Sequence, residues 1–367
     1  MKILFVSDSF KGSLTSRQCS ELFKDALAYI RPEADFEAYD LGDGGEGTLS
    51  IFLRFAGFMP VRIPSHDPLM RPIISLAGVK ADEAFIESAQ SCGLPLLKKF
   101  ERNPLLTTSF GVGEVIESVL SLGCRKIYIG LGGTATNDAA TGLLSALGFV
   151  FTDDTGRKLE GCGKNLGLIE KCVRTGIAPR LSETHFTLLT DVTSPLLGPR
   201  GAQYVFSAQK GADECVINEL ELSMEHFFGV TEKEYRCGEF EGAGAGGGMG
   251  YGLKAYLRAQ PVPGTELILK MLRLEEKIAG CDIVVTGEGR LDSQSASGKA
   301  VSGVLKLAQK FDKPVYAIFG SIERGASLLS HFSGYASLTA LSGSSELAIR
   351  NAAFYYTIAA QNLIKKI

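Results

Sequence analysis

The sequence predicts an α/β protein: a doubly wound parallel-sheet (Rossmann-like) domain formed by both chain ends, with an inserted second α/β domain of mixed sheet. Three observations predict it. Strand–loop–helix units repeat at both ends of the chain. Between Met59 and Ser88 the pattern changes to short apolar runs interrupted by Pro60, Pro64, Pro68 and Pro72. The first pattern returns only after about residue 265. The division that follows is 1–85 together with 265–367 for the first domain and 86–264 for the insert, with the active-site cleft between them.

Residues 2–8 read as the first strand, and the helix after it carries Thr15 and Gln18 at capping-box spacing. Cys19, Leu22, Ala26 and Ile30 form that helix's apolar face. Asp35 to Leu41 reads as a second strand, ending in Gly42–Asp43–Gly44–Gly45–Glu46–Gly47, with a helix through Phe52 and Phe55. In the insert, a helix near 112–122 precedes a strand at Lys126–Gly130. A strand at Phe186–Thr190 and helices near 214–228 and 250–258 follow. The closing part reads as a helix near 265–279, strand 282–286, helix 300–311, strands Val315–Phe319 and Ala336–Leu341, and a helix from Glu346.

The chain has 367 residues, which favours two domains. A formal net charge of −3 with no basic run argues against nucleic acid or an anionic membrane as partner. Asp8 ends the first apolar run too soon for a signal peptide, and no apolar stretch is long enough to span a bilayer. The 8 cysteines include no C-x-x-C pair and read as small buried hydrophobes in a reducing, cytoplasmic setting. The 4 histidines share no metal-ligand spacing.

The stretch GEGRLDSQSASGK, from Gly287 to Lys299, lies between a strand and a helix but is no P-loop. Ser293 stands where the first glycine belongs, and Ala300 follows Lys299 in place of Ser or Thr. Ligands of open parallel sheets bind at strand carboxyl ends where the strand order reverses. If 2–8 and 282–286 are neighbouring central strands, Asp8 and Lys11 face Glu288, Arg290 and Asp292, with Asp43 and Glu46 on the next strand end. Gly130–Leu131–Gly132–Gly133–Thr134–Ala135 fits the dinucleotide fingerprint, with Asp153 near the ribose-acid position. An NAD-dependent oxidoreductase is therefore one alternative, and a non-catalytic sugar-acid binding protein another. Against the dinucleotide reading, Asn137–Asp138 puts a carboxylate where pyrophosphate would meet a helix. Gly242–Gly248 could wrap an anion or let two elements pack closely. Asp191 ends an apolar strand, and Arg200 and Lys210 follow it.

In order along the chain, DSFKGSLTS, DGGEGT, IESAQSCGL, NPLLTTSFGVGE, GLGGTATND, TDVTSPLLGPRGA, QKGA, GAGAGGGMGYGL and TGEGRLDSQSASGK resemble the bacterial-type glycerate kinase family. The resemblance spans almost the whole chain. It implies a two-domain kinase using ATP and Mg²⁺ on D-glycerate, with 2-phosphoglycerate a more usual product than 3-phosphoglycerate, acting as monomer or homodimer. Phosphoryl transfer needs mainly positioning and charge neutralisation. On that basis Lys11 and Asp191 are the candidate catalytic residues, and Arg290, Arg200 and Asp8 the candidate substrate contacts. Gly132, Gly133, Thr134, Asn137, Lys210 and Lys299 are candidates for the nucleotide phosphates, and Asp43, Glu288 and Asp292 for the metal. The chain departs from the family pattern at Thr134 (commonly Ser), Ala139 and Ala140 (Gly), Ser194 (Asn), Ala208 (Pro) and Gly42 (Ala).

Overall fold

A computed structural model describes residues 1–10, 12–42, 44–174, 179–292 and 300–367. Lys11, Asp43 and the whole SQSASGK segment, including Lys299, lie outside the described residues. In chain order come β1 (Lys2–Ser7), α1 (Ser16–Ile30), β2 (Asp35–Asp40), α2 (Thr48–Phe55), β3 (Met59–His66), β4 (Pro72–Lys80) and β5 (Glu83–Glu87). Next are α3 (Ala89–Cys92), α4 (Phe110–Ser121), β6 (Lys126–Gly130), α5 (Thr141–Ala146), β7 (Phe149–Thr152), β8 (Lys171–Arg174), α6 (Pro179–Ser182) and β9 (His185–Leu189). Then follow α7 (Ala202–Phe206), α8 (Glu214–Tyr235), α9 (Met249–Leu257), β10 (Gln260–Val262), α10 (Gly264–Met271) and α11 (Leu274–Ala279). The chain closes with β11 (Ile283–Leu291), α12 (Ala300–Lys310), β12 (Val315–Ile322), β13 (Gly334–Ser337), α13 (Leu338–Ser342), α14 (Ser345–Arg350) and α15 (Ala352–Ile364).

The chain divides into two units, residues 1–43 with 265–367, and 44–264. In the first, five parallel strands run in the order β13-β12-β11-β1-β2. The order reverses between β1 and β11, which makes that junction the switch point. Ile3, Phe5, Ile283 and Val285 share a core with Phe23 and Leu27 of α1 and Tyr356 and Leu363 of α15. The alternate residues Leu4, Val6 and Val284 are equally buried, and α12 packs on β11 and β1. Both faces are covered, so these strands are apolar throughout. Thr15 begins α1 by the capping box that the spacing predicts: its Oγ1 accepts from Gln18 N at 3.2 Å, and its own N–H donates to Gln18 Oε1 at 2.9 Å.

The second unit holds a six-stranded mixed sheet in the order β10-β9-β6-β5-β4-β3, and a separate β7–β8 pair. β3, β4 and β5 are antiparallel neighbours, and β5, β6, β9 and β10 run parallel. The division expected at 85/86 therefore falls at 43/44. β5 is hydrogen-bonded to β6 from Glu83↔Lys126 to Glu87↔Gly130, which ties β3–β5 to the insert.

Other elements also differ from their sequence reading. β11 runs five residues beyond 286, so Gly287–Leu291 is strand and not loop. Its glycines serve close strand pairing: a Cβ at Gly287 would meet the Ile318 carbonyl at 2.3 Å. The helix expected at 265–279 is two helices parted at Arg273, whose φ is +53°. Ala336–Leu341 is the end of a strand followed by the short α13. The glycine run packs elements closely. Cβ atoms at Gly247 and Gly252 would meet the carbonyls of Thr136 and Ala139 at 2.0 and 1.9 Å.

Candidate active site

Chemistry-bearing residues gather at strand carboxyl ends in each unit. In the first unit the switch point brings the end of β1 beside Gly287 of β11. Asp8 N–H donates to the Gly287 carbonyl at 3.0 Å, and the Ser7 hydroxyl donates to the same oxygen at 3.0 Å. Ser7 pairs with Gly287 in register, so Asp8 and Glu288 each stand one residue beyond that pair. Asp8 is half-buried, and its Oδ1 accepts from Ser9 N at 2.6 Å. Glu288 is buried inside β11, opposite Phe319 of β12. Asp40, at the end of β2 opposite Ser7, is a second buried acid, one that sequence reading did not single out. Arg290 is exposed, with its guanidinium 3.9 Å from the Glu323 carboxylate, a weak surface pair that leaves it able to turn to a ligand.

Among the described residues no three His, Cys, Asp or Glu side chains are grouped as a metal site. Glu288 and Asp292 offer the hard oxygen donors that Mg²⁺ takes, and that ion needs only one or two carboxylates because it keeps several waters. The donor chemistry therefore fits Mg²⁺, with Asp43 the further candidate outside the described residues.

In the second unit the ends of β5, β6 and β9 meet the glycine segment that leads into α2. A Cβ at Gly130 would lie 2.4 Å from the Gly44 carbonyl, one at Gly132 would lie 2.5 Å from Gly45 Cα, and one at Gly44 would strike Leu189 at 2.8 Å. These glycines let the loops touch backbone to backbone. Glu87 closes the arrangement: its Oε2 accepts from Gly47 N at 3.1 Å and Leu49 N at 2.9 Å, which caps α2. Burial raises the pKa of this carboxyl above its ordinary value, although the two amides oppose the shift. Sequence reading passed over Glu87 as part of an apolar strand; the signal was an acid at the very end of a strand.

Gly132 and Gly133 are accessible, and Gly133 has φ +74°. Thr134 is buried and bridges to Gly93. Asn137 is buried too; its Nδ2 donates to Ser207 Oγ at 2.7 Å and to Gln203 Oε1. Its side chain thus serves an internal network. Asp138 is also internal, with Oδ2 accepting from Ser109 N and Oγ, both at 2.8 Å, and from Gly142 N at 3.2 Å. Lys210 is fully enclosed, with Nζ donating to the Thr136 carbonyl at 2.7 Å. Ala139 and Ala140 have φ of +48° and +65°, the left-handed region that favours glycine, and Ala139 N–H donates to the Gly247 carbonyl at 3.2 Å. That amide is not available to a phosphate.

Asp191 is half-buried just past β9, and Arg200 is exposed. Two carboxylates shape the loop between them. Glu239 accepts from Leu196 N and Leu197 N at 3.1 and 3.2 Å, and Glu221 accepts from Gly198 N at 2.5 Å.

The dinucleotide alternative fails on topology. Asp153 follows β7, which forms a separate two-stranded sheet with β8 and lies outside the parallel sheet. Its carboxylate is used in a local turn, accepting from Thr155 N, Thr155 Oγ1 and Arg157 N. No helix starts directly at the glycines either, since α5 begins at Thr141.

A reversed parallel sheet with acids at its switch point, and a glycine-walled set of strand-end loops, define an α/β protein of the class that binds small molecules at strand carboxyl ends. Residues 3–367 match the glycerate kinase family, and the chain belongs to it. It is 38% identical over 326 residues to the glycerate 2-kinase of Escherichia coli (strain K12), covering 88% of this chain and 86% of that protein. It is 37% identical over 328 residues to the glycerate kinase of Bacillus subtilis (strain 168), with the same coverage of 88% and 86%. Among solved structures, a protein assigned as glycerate kinase 2 from Salmonella typhimurium LT2 superposes with TM-score 0.83 at 33% identity, covering 100% of this chain and 97% of that one.

Proposed function

We propose that this chain is a phosphotransferase that moves the terminal phosphoryl group of ATP to D-glycerate, at the 2-hydroxyl. The observation that carries the reading is family membership over 3–367, joined to acids and glycines at the strand ends that phosphoryl transfer calls on. The 2-hydroxyl follows the name of the Escherichia coli relative.

Bound Mg²⁺ would neutralise phosphate charge, and Glu288, Asp292 and Asp43 are the proposed residues to hold it. Asp191 accepts the proton of the attacking hydroxyl. Arg290 or Arg200 holds the glycerate carboxylate by two parallel hydrogen bonds, with Asp8 nearby for a hydroxyl. Lys11 and Lys299 meet the phosphates as compact charges, and the Gly132–Thr134 backbone is a further proposed phosphate contact. A coupled ADP-release assay tests the reading, with glycerol as control. D-Glycerate should support turnover and glycerol far less, because glycerol leaves the arginine unpaired. Equal kcat/KM for the two would remove the carboxylate clamp, and no ADP release from folded protein would remove the activity.

A further inference from the structure

Lys210 is 2% exposed, and its Nζ donates to a backbone carbonyl, that of Thr136. Burying an ammonium group is costly unless it is paired and hydrogen-bonded. The carboxylate that faces it, Asp138, attracts the ammonium, accepts at Oδ2 from Ser109 and Gly142, and keeps a buried Oδ1 with no hydrogen-bond partner among the described residues. Cys92 faces it from α3, with a thiol that burial keeps protonated. Arg102 lies on the neighbouring segment, where its Nη1 donates to the Gln209 carbonyl at 3.3 Å.

Tethering alone does not explain a cation there. The 132–137 loop is already held at several points. Ala135 N–H donates to the Cys92 carbonyl at 2.7 Å, Thr107 Oγ1 donates to the Ala135 carbonyl at 2.8 Å, and Leu94 N–H donates to the Gly133 carbonyl at 2.9 Å. A neutral amide or hydroxyl could serve the Thr136 carbonyl without desolvating a charge. What only lysine adds is positive potential at the Thr136 end of a loop whose Gly132 and Gly133 reach the surface.

We propose that Lys210 is a positioning residue whose buried charge, held on the Thr136 carbonyl, favours binding of an anionic phosphate group on the Gly132–Gly133 face of the loop. This rests on the kinase reading, and it replaces direct phosphate contact by Lys210 with an action through the loop. Burial pulls the Lys210 pKa down to about 8, so the charge is lost within a testable range.

The test compares Lys210→Met and Lys210→Gln with the wild type, measuring KM for ATP, KM for D-glycerate, kcat and melting temperature. Wild-type turnover comes first; its absence would sink the kinase reading and not this inference. Gln keeps a donor for Thr136 and removes the charge. Both variants should raise KM for ATP by roughly tenfold, and up to about a hundredfold if the loop shifts by an ångström. KM for glycerate and the melting temperature should stay near wild type. In the wild type, KM for ATP should rise as pH passes through about 8, and in Lys210→Gln it should be flat there. A Gln variant with wild-type KM for ATP, or a rise in the glycerate KM alone, overturns the proposal. If neither variant folds, the wild-type pH profile decides: a KM for ATP that is flat from pH 7 to 9 overturns it.

Discussion

Lys11→Met is expected to lower kcat at saturating ATP by roughly a hundred- to thousandfold, since losing a preorganised charge contact costs about 2.7–4 kcal/mol. Steady-state rates beside a melting curve check this; a folded variant with near-normal kcat would remove Lys11 from the chemistry. A second residue predicts pH behaviour. The Tyr39 hydroxyl, then Lys2 and Lys277, hold the Glu37 carboxyl down at about 2, against an ordinary 4.5. A depressed acid contributes stability that is present above its ordinary value and lost as pH falls through the folded value. Stability should therefore fall between about pH 4.5 and 2, and Glu37→Gln should flatten that loss in acid unfolding curves. At this scale the sequence is only partly legible. Asp8 and Asp191 stand just past strand ends, where an acid is informative, whereas Glu288 lies inside β11. Asn137 and Lys210 look equally polar in the sequence, yet both are interior, because burial of a polar side chain depends on partners far along the chain such as Ser207 and Thr136.

Among the elements, glycines give the sharpest contrast. Gly252 in α9 lies against Ala139, whose carbonyl would be 1.9 Å from an added Cβ. Gly252→Ala should destabilise the protein by about 1–3 kcal/mol, as overpacking does. Gly229, within α8, has nothing within 4 Å of the added methyl. Gly229→Ala should stabilise by about 0.5–1 kcal/mol, through helix propensity. Chemical denaturation of both measures the pair, and like signs would contradict the packing. The capping box of α1 was legible because it is local, two residues three apart. The full length of β11 was not, because Gly287 and Gly289 look like loop formers until β12 is placed beside them.

For the whole molecule, the alternation of strand and helix was enough to read the doubly wound sheet and its β1–β11 junction. The unit boundary at 43/44 was not legible, since strands assign themselves to a sheet by pairing partners and β5 has its partner in β6. The apolar core that includes Ile63, Ala77, Ile86, Ile127, Leu188 and Tyr256 lies wholly within 44–264. A fragment of residues 44–264 should therefore unfold cooperatively on its own, and one of residues 86–264 should not; circular dichroism melts compare them. The central claim is phosphoryl transfer from ATP to glycerate at the 2-hydroxyl. Phosphorus NMR of a reaction of purified protein, Mg²⁺–ATP and D-glycerate tests it most directly. Transfer to the 2-hydroxyl should give a new phosphomonoester signal split into a doublet by the single proton on C2, growing as ATP is consumed. A triplet, from the two protons of C3, would contradict the regiochemistry, and no ester signal from folded protein would contradict the activity itself.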